Sequence, residues 1–135
     1  MIGGGAENYD VGEKILLPYL LNRQITELDY VICSHFDTDH VGGIITILKA
    51  LKVKNLVISK QKENYENFKR INEIVKGKRI NIIVVKKGDK IIFDSSAYMD
   101  VLYPTDPLLH EDINNNSIVA KFICNKISML FTRRY

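Results

Sequence analysis

The chain has 135 residues, 46% of them hydrophobic and 26% charged, with a formal net charge of +3. That size suits one domain, and no apolar run reaches the roughly 20 residues of a membrane-crossing helix; the run at 15–21, ILLPYLL, is too short and contains Pro18. The front carries no basic-then-apolar leader, so as an independent product the chain is expected to be soluble and to stay in the cytoplasm.

The charge is uneven. Residues 49–90 hold thirteen Lys or Arg against four acids, a net +9, and leave −6 on the remainder. A basic middle attracts polyanions, although lysine-rich helix faces are also found simply solvated. Cys33 and Cys124 lie in separate apolar runs without a Cys-x-x-Cys, which predicts two buried thiols rather than a disulfide or a metal knuckle.

In chain order, Asp10 and Glu13 have capping-box spacing ahead of a helix with Ile15, Leu16, Tyr19 and Leu20 on one face; Pro18 is expected to kink it. LDYVICS, 28–34, reads as a buried strand. Val41, Ile44, Ile45, Leu48 and Leu51 recur at helical spacing, so a helix starts near Val41. NLVIS, 55–59, is a second short strand. Residues 63–76 form a surface helix that Gly77 ends. INIIVV (80–85), IIF and AYMDVLY (97–103) are further strands, with a turn at Lys87-Gly88-Asp89. A polar loop with Pro104 and Pro107 leads to SIVAKFIC and ISMLFT, two strands joined at Asn125-Lys126. Strands alternating with helices imply an α/β or α+β fold with mixed layers.

The decapeptide SHFDTDHVGG, 34–43, concentrates the chemistry. His35, Asp37, Asp39 and His40 fall within six positions, after a strand and before a helix. Ligand sites of α/β proteins lie beyond the carboxyl ends of strands. Two imidazoles and two carboxylates offer nitrogen and oxygen ligands to a divalent ion, whose charge would relieve their crowding. Gly42 and Gly43 are expected to permit close backbone approach at the helix start. Other motifs fail by counting: an EF-hand frame from Asp37 has Val41 at position five and Leu48 at position twelve, and Gly-x-Gly-x-x-Gly, Walker, Gly-x-Ser-x-Gly and His-Glu-x-x-His patterns are absent. Asp and His also occur in loops without binding anything, and Asp caps helices.

His35-Phe36-Asp37-Thr38-Asp39-His40 resembles the H-x-H-x-D-H signature of the metallo-β-lactamase superfamily, with aspartate in place of the second histidine. Followed by Gly-Gly, it is similar to the metallo-β-lactamase-like domain of ComEC-type competence proteins, which serve bacterial DNA uptake. YDVGEKILLPYLLNRQITELDYVICSHFDTDHVGG, NNNS at 114–117 and the strand pair ending SMLFT extend the resemblance over nearly the whole chain. It implies an αββα sandwich with a metal centre at one edge between the sheets. His35 and Asp37 would serve one metal, Asp39 and His40 a second, and Asp39 would also help orient water. The resemblance thus implies up to two divalent ions, and the carboxylate at 37 makes manganese a competitor to zinc. It also implies metal-dependent hydrolysis, with DNA phosphodiesters as the substrate. Such domains are attached to a membrane channel.

The chain departs from the pattern in three places. The family's FTGD reads FTRRY here, its later HHGS stretch has no counterpart, and its IDGGG reads MIGGG. His110 is the remaining histidine, alone in a polar loop and expected to be a surface residue. These departures predict a single incomplete domain over residues 1–135, about the first half of the sandwich. The alternative function is then a non-catalytic binding module lacking the late ligands. Uncovered sheet edges would favour self-association.

Overall fold

The computed structural model describes residues 17–33, 38–59, 66–105 and 117–131. Three parallel strands make the first sheet: β1 (Glu27–Ile32), β2 (Lys52–Ser59) and β3 (Asn81–Val85), in the order β1-β2-β3. Two helices connect them, α2 (Thr38–Ala50) and α3 (Glu66–Lys78), and a short helix α1 (Leu17–Asn22) precedes them. Ile32 pairs with Val57, and Ser59 with Val85, so all three strands point their carboxyl ends to one edge. The cap expected at Asp10 and Glu13 lies outside the described residues; Pro18 falls within α1.

The strands are apolar on both faces because both are covered. On one side Val31, Cys33, Leu56 and Ile58 pack against Leu20 of α1, Ile44, Ile47 and Leu48 of α2, and Ile71 and Val75 of α3. On the other, Ile32, Val57 and Val85 meet Ile91, Met99, Val101 and Ala120 of a second sheet, and Ile118 just before its third strand. That sheet is antiparallel, in the order β4 (Lys90–Ile92), β5 (Ala97–Tyr103), β6 (Val119–Cys124) and β7 (Ile127–Phe131). An aromatic row fastens the two sheets: Tyr30 meets Phe93 edge-on at 4.9 Å, and Phe93 lies 5.6 Å from Phe122. The layers are thus helix, parallel sheet and antiparallel sheet, the mixed α+β architecture expected. All three described helices belong to the one helical layer.

Local chemistry explains the connections. Gly88, at φ +97°, turns the chain between β3 and β4, and Asp89 accepts the Lys86 N–H at 2.9 Å. Asp94 accepts the Ser96 N–H at 2.8 Å to build the β4–β5 turn. Asn125, at φ +55°, joins β6 to β7. Gly77 does not end α3 as expected. It lies inside the helix, and Arg79 takes the left-handed conformation at φ +57° instead. No disulfide joins the cysteines; Cys33 is buried and Cys124 half-buried. No described helix is long and apolar enough to cross a membrane.

Candidate metal centre

The polar decapeptide begins where β1 leaves the sheet. Cys33 extends the ladder by one residue, its N–H donating to the Val57 carbonyl at 2.9 Å. The next described residue is Thr38, already the first of α2. The helix therefore starts three residues earlier than its apolar spacing suggests. Asp39 and His40 occupy its first turn rather than the preceding loop. A carboxylate suits that position, because unpaired N–H groups leave a partial positive charge at a helix start. The two positions are consecutive, about 100° apart around the axis. His35, Asp37 and the side chains of Asp39 and His40 lie outside the described residues, as does His110.

Gly42 and Gly43 both fall inside α2. A Cβ on Gly42 would meet nothing within 4 Å, so no close approach demands glycine there. Thr46 instead returns its hydroxyl to the Gly42 carbonyl at 3.2 Å.

The topology gathers distant sequence at one edge. Residue 33 leads into the His/Asp loop at the carboxyl end of β1. Two residues past β3, the Lys87 N–H donates to the Pro104 carbonyl at 2.7 Å, which brings the end of β5 to that edge. Tyr103 pairs with Val119, so β6 starts there, just after Ser117 of the NNNS stretch. Phe131 pairs with Ala120, so β7 ends there, before Thr132-Arg133-Arg134. The described residues flanking three separated stretches thus share the edge where α/β folds place ligands.

The donor set suits a divalent ion: imidazole nitrogens and carboxylate oxygens are ligands for zinc or manganese. Among the described residues no three His, Cys, Asp or Glu side chains gather into a metal site. Four of the acids described elsewhere pair with lysines. Glu27 and Asp29 lie 3.2 and 3.3 Å from Lys54, and their hydrogen bonds, Glu27 first, raise its pKa. Asp89 pairs with Lys86 at 3.6 Å, and Asp100 with Lys90 at 3.9 Å.

Among the described residues the basic middle does not form one patch. Lys49, Lys52, Lys76, Lys78 and Arg79 sit at the ends of α2 and α3 or the starts of the strands that follow them, the edge opposite the His/Asp loop. Lys86 and Lys87 follow β3 at the loop's own edge. Sequence composition could not separate these groups, because neighbours in the chain run to opposite ends of the sheet.

A family model for the metallo-β-lactamase superfamily matches residues 3–114. ComE operon protein 3 of Bacillus subtilis (strain 168) is 32% identical over 124 residues, 92% of this chain and 16% of that protein. Recombination protein 2 of Haemophilus influenzae Rd is 41% identical over 59 residues, 44% of this chain and 7% of that protein. The chain therefore spans only a small part of each relative's length. The matched region contains the His/Asp loop, both connecting helices and the whole parallel sheet. This chain belongs to the metallo-β-lactamase superfamily.

Proposed function

We propose that this chain carries the metal-binding portion of a ComEC-type hydrolase that acts on DNA phosphodiesters during DNA uptake. The observation that supports it best is the convergence at one sheet edge of the ends of β1, β5 and β7 and the start of β6. In this reading His35 and Asp37 hold one divalent ion and Asp39 and His40 a second. A bound divalent ion supplies Lewis acidity and a source of hydroxide at neutral pH. Asp39, besides holding its ion, would help orient the attacking water toward the phosphodiester. Lys86 and Lys87, at the same edge, favour a polyanionic substrate.

A second reading rests on a specific sequence position. Arg133 and Arg134 follow β7 where the family resemblance calls for Gly-Asp, which favours a DNA-binding module without turnover. One experiment separates the two. Cleavage of end-labelled single- and double-stranded DNA is measured with Mn²⁺ or Zn²⁺, with and without chelator, for the wild type, His35→Ala and Asp39→Ala. The hydrolase reading expects chelator-sensitive cleavage that both variants lose by about 100-fold or more. Equal activity in all three removes it. Salt-sensitive DNA binding indifferent to chelator and to both substitutions supports the binding module.

A further inference from the structure

Among the described residues two polar side chains are buried, Ser59 at 1% exposure and Ser117 at 3%. Both lie at the edge where the His/Asp loop begins. Ser59 closes β2 after the apolar run Leu56-Val57-Ile58. Side chains alternate along a strand. Leu56 and Ile58 belong to the helix-side core and Val57 to the core between the sheets, so Ser59 shares the face of Val57. Val57 also accepts the Cys33 N–H, one residue before the loop. Ser117, two residues before β6, supplies a second buried hydroxyl at that edge.

A hydroxyl buried there costs free energy unless a hydrogen bond meets it, and neither serine is without a partner. Valine would suit the same strand position with no such demand. We infer that Ser59 is a positioning residue for the metal edge: its buried hydroxyl fixes the backbone from which the loop bearing His35 and Asp37 departs. The inference rests on the metal-binding reading above. It assigns Ser59 no contact with an ion.

The test uses the full chain and Co²⁺ as the probe. Affinity is read by competition with a chromogenic chelator, geometry by the visible spectrum, and loop order by amide exchange at residues 34–40 without metal. Ser59→Ala is expected to bind Co²⁺ about 10- to 100-fold more weakly, with an altered spectrum. Its loop amides should exchange about tenfold faster, while β3 amides keep their rates. Ser59→Thr restores both readings. Val57→Ala, which opens a cavity on the same face, loses stability but binds Co²⁺ like the wild type. Should Ser59→Ala not fold, Ser59→Val fills the space and is expected to show the same two losses. Wild-type affinity and exchange in Ser59→Ala, or in Ser59→Val, overturn the positioning role and leave the metal reading standing. A wild-type chain that takes up no Co²⁺ sinks both.

Discussion

The Lys78 ammonium lies 2.6 Å from the carbonyl oxygen of Leu48, and it also donates to Leu51 at 2.8 Å and Lys49 at 3.1 Å. The last residue of α3 thereby closes the carboxyl end of α2. Helix ends leave such carbonyls unpaired, and their partial negative charge favours a cation. Lys78→Met is expected to cost about 1–2 kcal/mol in urea unfolding, with Lys78→Arg recovering part of the loss. An unchanged midpoint for Lys78→Met would mean that water caps α2 equally well.

Gly77 offers the opposite opportunity. It lies inside α3, and an added Cβ meets nothing within 4 Å. Gly77→Ala should stabilise the fold by about 0.5–1 kcal/mol by raising helix propensity and restricting the unfolded chain. Arg79→Gly should add a gain of about the same size by relieving the left-handed backbone. Thermal unfolding checks both; a lower Tm for Gly77→Ala would contradict the open space around it.

Asp94 governs a small acid-side effect. The Ser96 N–H, foremost, and the Ser96 hydroxyl hold its carboxyl below the usual carboxylate range. The folded value lies below the unfolded one. Its stabilisation is therefore fully present above the unfolded carboxylate pKa and is lost as pH falls through the depressed folded value. The group is exposed, so the effect is modest. Carboxyl NMR titration should place Asp94 below the usual carboxylate range, and Ser96→Ala, which removes the hydroxyl but keeps the N–H, should move it part of the way back up.

Among the described strands β7 lies at the edge of its sheet; it carries no charged residue, and Ile127, Met129 and Leu130 are each more than half exposed. Edge strands of this kind template further pairing unless a charge or proline interrupts them. Sedimentation of the isolated chain should show concentration-dependent association that Met129→Lys suppresses. Equal behaviour of the two proteins would locate any association elsewhere.

Metal loading is expected to raise Tm in proportion to the logarithm of free ion concentration. Chelator should reverse the shift, and a His35→Ala/Asp39→Ala double variant should not show it. A ligand-independent Tm in the wild type would argue against a cation bound by these groups.

Much of this architecture was legible in the residues. AYMDVLY alternates cleanly and forms β5 at the expected bounds, because its two faces meet different surroundings. The start of α2 was not legible from periodicity. Its first turn holds Thr38, Asp39 and His40, polar residues that the apolar spacing from Val41 onward cannot register. The end of α3 was misread for another reason. Glycine signals a helix stop locally, but Lys78 must continue the helix to reach the carbonyls of α2, a contact 30 residues away in sequence. Ser59 looked like an ordinary strand end until burial on the inter-sheet side set it apart. Of the four proposed ligands, the backbone places two on a helix; the other two are known by sequence alone.

The parallel strands grip the helices with one side and the antiparallel strands with the other. His35 and Asp37 come before α2, whereas Asp39 and His40 ride on it. Ions held by these two neighbouring pairs would lace the helical coat to the strand layer beneath. Stripping them should then let the coat peel first, splitting a single melting transition into two.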